Sequence, residues 1–286
     1  MINPSKRISY FSFGYIPDNR FFRDLFFRLT GYPNLIKRLQ AKDIINALDI
    51  QLDQKVIDFG CGSGYITVEI AKQADEALGI DINPEIANNV IPEALKGKLK
   101  YQVIDGRTLD MLDNYFDIAL CSEVLMMISE PDQFLSEVKR ILKPGGKLVV
   151  VNGLGHPAIE KAYSNNTILL KIARLLYPKR FPKTYNEYVQ NLRGVFETAF
   201  EFPKADYYID LLQKNEFKVI KEFRSPGKIS GDLSSWNQFF LYIKTGKGIV
   251  TNFVFAKYLL FSILDNFSKN KYEGGQVIIS YSEKLA

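Results

Sequence analysis

The stretch VIDFGCGSGYITVEIA, residues 56–71, decides the fold. The apolar run KVIDF (55–59) is followed at once by Gly60, Gly62 and Gly64, and then by a helical pattern. A buried strand that breaks into glycines and opens a helix is the first unit of an α/β sheet. The glycines let the main chain turn sharply and let a ligand approach it. The helix start behind them presents free N–H groups to a carboxylate or phosphate. Taken alone, such a loop also reads as a tight turn or a nucleotide dehydrogenase loop.

Working outward, short apolar runs alternate with helical stretches. ALGID (77–81), LKYQVI (99–104), FDIALC (116–121) and KLVVVN (147–152) read as buried strands, with helices near 64–74, 84–95 and 131–142 between them. That alternation predicts βαβ units and a parallel sheet. Pro131 suits a first helical turn. Phe134, Leu135, Val138, Ile141 and Leu142 make the buried stripe of that helix. Lys143-Pro144-Gly145-Gly146 is expected to stop it and turn the chain into the next strand. After residue 153 come helical, aromatic stretches at 154–200, a helix at 204–214, a strand at 217–223, a helical region at 233–267 and a last strand at 275–281. Ahead of the glycine loop, residues 18–29 and 34–48 read as amphipathic helices.

Two more carboxylates fall where strands end. Asp81 closes the second strand and can accept both hydroxyls of a ribose, or cap the next helix. Asp105-Gly106 closes the third, where a carboxylate can take the amino group of an adenine or serve as an ordinary turn acid. With Asp58, three acids lie at the carboxyl ends of three successive strands beside one glycine loop. Ligands of open α/β sheets bind at that edge.

VIDFGCGSGYITVEIA, LGIDINPE, YQVIDGRTLDML, FDIALCSEVLMMI and EVKRILKPGGKLVVV resemble, in order and spacing, the motifs of class I S-adenosylmethionine-dependent methyltransferases, over about residues 34–153. A dinucleotide dehydrogenase would want Gly-x-Gly-x-x-Gly, and residue 65 is Tyr. The resemblance implies a seven-stranded Rossmann-like α/β sheet with helices on both faces and its last strand antiparallel, inserted beside the sixth. It implies S-adenosylmethionine as cofactor. Asp58, Gly60, Cys61, Gly62 and Gly64 would line its methionine part, Asp81 would hold the ribose and Ile82 would pack on the adenine. Asp105 and Gly106 would sit at the adenine edge, with Cys121 and Ser122 beneath the sulfonium. Residues 1–50 are then expected to form a helical cap, and 51–286 a methyltransferase domain with helical lid insertions at about 154–200 and 228–270.

Many small-molecule members carry His or another polar residue near the position of Met127. Here the run is Glu123-Val124-Leu125-Met126-Met127. The candidate bases are therefore Glu123, which also reads as a surface carboxylate at a helix start, and His156, which also reads as a loop residue before a proline. Tyr10, Phe13, Tyr15, Met126, Met127, Tyr163, Tyr185, Trp236 and Phe240 are candidate acceptor contacts, and most aromatics at helical spacing are simply core. The implied reaction is O-, N- or C-methylation of a small, apolar or anionic acceptor. Nucleic-acid or protein methylation and a non-catalytic cofactor-binding module are the alternatives.

Composition bounds the rest. Residues 1–45 hold eight bases and three acids, so the whole net charge of +5 sits ahead of the glycine loop. Such a patch attracts an anionic substrate, a membrane surface or nucleic acid, or is a solvated face. No appended RNA-binding module is visible, and no nucleic-acid partner is expected. The cysteines are Cys61 and Cys121 and the single histidine is His156, which excludes a Cys/His zinc site. A reducing, cytoplasmic setting is the simplest reading. The most lipid-like stretch, 249–264, is too short to span a bilayer. No transmembrane segment is expected, which leaves peripheral membrane contact open, with the chain a monomer or homodimer.

Overall fold

A computed structural model of the chain describes residues 35–89, 91–104, 109–193, 203–225, 227–245, 264 and 272–283. In chain order these form α1 (Leu35–Leu48), β1 (Lys55–Phe59), α2 (Tyr65–Ala71), β2 (Glu76–Asp81), β3 (Leu99–Val103), β4 (Phe116–Ser122), α3 (Pro131–Ile141), β5 (Leu142–Gly153), α4 (Pro157–Ser164), α5 (Ile168–Leu176), α6 (Tyr185–Arg193), α7 (Ala205–Lys214), β6 (Phe217–Arg224), α8 (Lys228–Thr245) and β7 (Gly275–Ser282). The seven strands lie in the order β3-β2-β1-β4-β5-β7-β6. β7 is antiparallel to both neighbours, and the other pairings are parallel. The expected seven-stranded sheet with a reversed last strand is therefore present.

The central strands read as continuous apolar runs because both their faces are covered. One face carries α1 and α2 over Val56, Ile118, Leu120, Val149, Val151 and Val277. The other carries α3 and α7 over Ile57, Phe59, Cys121, Leu148, Val150 and Ile278. The α1 segment of the expected N-terminal cap belongs to the first of these layers, since Ala41, Ile44 and Leu48 are wholly buried there. A third cluster, built from α4, α5, α6 and α8, gathers around Tyr188 and Phe239, in the stretches where lid insertions are expected. The expected helix at 18–29 lies outside the described residues.

Two local expectations are corrected. The segment 84–95 is not one helix but two 3₁₀ turns, Pro84–Asn88 and Glu93–Leu95. Pro92 between them has no N–H to give and breaks the ladder. Nor do Lys143–Gly146 precede the fifth strand: β5 already begins at Leu142, which pairs with Phe116, and the register shifts before Ile118 meets Lys147. The Pro-Gly-Gly segment is thus a bulge within the strand, with Gly145 at φ 69°.

The order of strands reverses between β1 and β4, which grow the sheet in opposite directions. That switch point leaves a crevice outside the carboxyl ends of those strands, which is where this sheet class binds ligands.

Candidate active site

The glycine loop after β1 is built around three left-handed residues. Gly60, Gly62 and Gly64 have φ of 65°, 50° and 70°. Each is required for a different reason. A Cβ on Gly60 would lie 2.1 Å from Val124 Cγ2, so this glycine lets the first loop pack on the loop after β4. A Cβ on Gly64 would strike the Tyr101 hydroxyl, which donates to the Gly64 carbonyl at 3.2 Å. A Cβ on Gly62 would meet nothing within 4 Å, so the loop is open on that side.

Side chains from neighbouring strands fix the loop. Gly62 N–H donates to Asp81 Oδ2 at 2.9 Å, and Asp81 Oδ1 accepts from Asn83 N–H at 3.0 Å. The Cys61 N–H donates to the Ile80 carbonyl. Asn89 donates to the Gly62 carbonyl at 2.8 Å, while its own buried Oδ1 has no partner. Asp58 is buried on the α2 side, where Thr67 Oγ1 donates to its Oδ2 at 2.7 Å. Burial pushes this carboxyl up to about 7, against the Thr67 bond, and the nearby charge of Asp81 adds to the rise.

Asp58, Asp81 and the three glycines are thus brought together at one strand edge. Ile82 beside them is an apolar side chain held 73% exposed. Asp105 and Gly106 lie outside the described residues. Cys61 and Cys121 are buried, and burial raises both thiols, Cys121 to about 12, so neither is a thiolate. Ser122 ends β4 opposite Val151.

The next residue, Glu123, takes φ 60°, a left-handed backbone uncommon outside glycine. Its N–H donates to the Val151 carbonyl, and Gln40 Nε2 donates to its carboxylate at 3.3 Å. Tyr208 and Tyr272, buried on different elements, both hold their phenol protons more firmly than usual. Burial is the main cause in each, and each also feels the Glu123 charge. Glu123 therefore follows the end of β4, tied to β5 through Val151 and to α1 through Gln40. A strained tip of this kind is a mark of a functional position. Met126 is half-buried against the α3–α7 layer and Met127 is exposed.

His156 is placed differently. Its Nδ1 lies 3.2 Å from Ser235 Oγ, which is 2.7 Å from the Tyr272 hydroxyl, which in turn donates to the Gly155 carbonyl. Its N–H donates to the Tyr185 oxygen. Burial pushes the imidazole down to about 4, so it is neutral near pH 7 and a weak base there. The network ties the end of β5 to α6, α8 and the start of β7. Tyr163 and Trp236 belong to the lid cluster: the Tyr163 hydroxyl donates to the Pro182 carbonyl, and Trp236 stacks on Phe240. Tyr10, Phe13 and Tyr15 lie outside the described residues.

Sequence reasoning missed three buried polar groups near this edge: Asn152, whose amide has no partner on either atom among the described residues, Gln276 opposite it on β7, and Tyr208 on α7. Asn152 ends an apolar run and could have been flagged by its polarity alone. Gln276 and Tyr208 carry no local signal, because long-range folding brings them here. Asn89, which holds Gly62, sits in the misread segment.

The residues fit a nucleoside with an amino-acid tail. The loop is open over Gly62, Asp81 has hydrogen-bonding capacity left on both oxygens, and the Asn89 oxygen awaits a donor. Residues 57–150, which run from β1 into β5, match the family model described as "Methyltransferase domain". Sheet order, loop and family match together support a class I S-adenosylmethionine-dependent methyltransferase.

The relatives are methyltransferases as well. The chain is 26% identical over 189 residues to the demethylmenaquinone methyltransferase of Staphylococcus carnosus, covering 64% of this chain and 76% of that protein. It is 26% identical over 187 residues to the phosphoethanolamine N-methyltransferase of Triticum aestivum, covering 63% of this chain and 35% of that longer protein. Among solved structures, the geranyl diphosphate C-methyltransferase of Streptomyces coelicolor A3(2), in complex with S-adenosyl-L-homocysteine, matches with a TM-score of 0.54. That match is 14% identical over 87% of this chain and 79% of the other, a likeness of fold.

Proposed function

We propose that this methyltransferase acts on a small, largely apolar acceptor, with or without an anionic head, seated between the tip of β4 and the helical lid. The observation that carries the reading is Glu123, a carboxylate in left-handed backbone at the tip of β4, bonded by Gln40 and followed by Val124, which packs on Gly60 of the glycine loop. The lid beside it is aromatic, with Tyr185, Tyr188, Trp236 and Phe239 in its core. Such walls suit an apolar guest and exclude water. The small-molecule names of the relatives, demethylmenaquinone and phosphoethanolamine, point to the same class.

S-adenosylmethionine, when bound, supplies a methyl group on a sulfonium. Asp58, Gly60, Cys61, Gly62 and Gly64 would cradle its methionine part, Asp81 its ribose, and Ile82, Asp105 and Gly106 its adenine. Cys121 and Ser122 would lie under the sulfur. What the chain must do beyond this is align the acceptor and keep water out. Where the acceptor atom is a hydroxyl or an activated carbon, Glu123 is the group placed to hold or take its proton, a contribution of about 10²–10⁴ in rate. His156 serves as a strut of the lid. Location in the cytoplasm belongs to this reading too.

The test is methyl transfer from labelled S-adenosylmethionine to a panel of quinols, isoprenoid phosphates and phosphorylated amino alcohols, with RNA and protein as controls. Product on one small acceptor is expected, with Glu123→Gln lowering kcat about 10²-fold or more and leaving S-adenosylhomocysteine affinity unchanged. Product on RNA or protein alone, or cofactor binding with no product in any class, refutes the proposal.

A further inference from the structure

Helix α5, ILLKIARLL, has its apolar stripe turned outward. Leu170 and Ala173 are the residues it buries in the lid. Ile168, Leu169, Ile172, Leu175 and Leu176 are between 42% and 80% exposed. At about 100° per residue these five cover an arc of about 120° on the side away from Leu170 and Ala173. A surface helix ordinarily faces such a stripe to the core, and a contiguous exposed one marks an interaction face.

The charges around the stripe are mostly basic. Lys171 lies on α5 itself, and so does Arg174, whose guanidinium sits over the Phe181 ring at 5.1 Å. Lys179, Arg180 and Lys183 follow at once, and all five are exposed. Residues 157–193 hold seven bases and only two acids, Glu160 and Glu187, neither of them on α5. Tyr177 ends the helix at the boundary between stripe and bases, a position where amphipathic rings favour a lipid headgroup layer.

We propose that α5 docks this protein on an anionic lipid bilayer. The helix lies in the interface plane, its five aliphatic side chains in the acyl boundary and its bases at the phosphates. Contact is peripheral: no described helix is long and apolar enough to cross a membrane. Five exposed bases against one neighbouring acid, Glu187 beside Lys183, leave the rim strongly net positive, which complements a plane of phosphates. Docked this way, the lid faces the phase in which an apolar acceptor dissolves. The inference stands whichever acceptor is methylated.

The experiment is flotation of the full chain with vesicles of phosphatidylcholine, alone or with phosphatidylglycerol added. The protein should float with the anionic vesicles, stay behind with the neutral ones, and be released by added salt. The doubly substituted Ile172→Glu/Leu175→Glu should lose about tenfold in partitioning, and Lys171→Glu/Lys179→Glu a similar factor with the stripe intact. All four sites are exposed, so Tm and S-adenosylhomocysteine affinity should be unchanged in both. Equal flotation of the variants, or no capture of the unmodified chain by anionic vesicles, overturns the proposal. So does self-association that Ile172→Glu/Leu175→Glu disperses in the absence of any vesicle binding, which would make the stripe a contact between copies.

Discussion

Replacing Gly60 by alanine tests whether the loops after β1 and β4 meet as the structure has them. Two separate costs arise. The φ of 65° is left-handed, which costs an alanine about 1–2 kcal/mol. The new Cβ would also lie 2.1 Å from Val124 Cγ2, and overpacking of that kind costs about 1–3 kcal/mol. Val124→Ala removes the offending methyl and leaves the Val124 Cβ at 3.4 Å, an ordinary contact. In the double variant the clash is gone and only the backbone cost and the lost methyls remain. The coupling in a double-mutant cycle should therefore be about 1–3 kcal/mol in the favourable direction. Thermal unfolding reads it at about 2–4 °C for each kcal/mol, and calorimetry with S-adenosylhomocysteine shows whether the cofactor follows. Binding should weaken in Gly60→Ala and recover in part when Val124→Ala is added. Additive Tm changes, within about 0.5 kcal/mol, would refute the packing of one loop on the other.

Other outcomes follow from single groups. Asp81→Ala removes two hydrogen bonds to loop N–H groups and should weaken S-adenosylhomocysteine binding by about 1–3 kcal/mol; an unchanged calorimetric Kd would remove Asp81 from the site. At Gly62 an added Cβ meets no protein atom, so Gly62→Val should occlude the crevice, abolishing thermal stabilisation by S-adenosylhomocysteine while the backbone strain costs about 1–2 kcal/mol of fold; an undiminished ligand-induced Tm shift would count against it. His156 is held neutral at about 4, below its unfolded value near 6.5, so its contribution is whole above pH 6.5 and is lost as pH falls toward 4, up to about 3 kcal/mol. Asp58, raised to about 7, acts in the opposite sense, its contribution whole below its unfolded value near 3.8 and lost as pH rises through about 7. Comparing His156→Gln with the unmodified chain isolates the first effect: their Tm values should converge as pH falls from 6.5 to 4, and parallel curves would show the imidazole to be exposed.

Much of this was legible before any coordinates. Six of the seven strands lie within a residue of where apolar runs and turn residues put them, while β5 starts five residues early because the Pro-Gly-Gly turn lies inside it. The reversal of β7 was not carried by its own residues: GQVIISY is equally apolar in either direction, and only the resemblance to a family supplied it. The failure at 84–95 came from weighing apolar spacing above Pro92. For α5, the sequence reads only as part of a helical stretch, and its facing is hidden in any case, since a stripe at helical spacing looks the same turned in or out. The role of His156 was hidden for another reason: its partner Ser235 is 79 residues further on and is itself bonded to the distant Tyr272, and no local pattern announces either.

The reversal of β7 has a consequence for how this chain can change. β6 leaves the sheet at Arg224 and β7 re-enters opposite it at Gln276, so the excursion between them starts and finishes at adjacent points, with the Ser225 N–H donating to the Gly275 carbonyl. Lengthening a loop whose ends already touch costs only a logarithm of its length. That excursion can therefore be lengthened or replaced, insertion by insertion, while the seven strands and the glycine bend stay as they are.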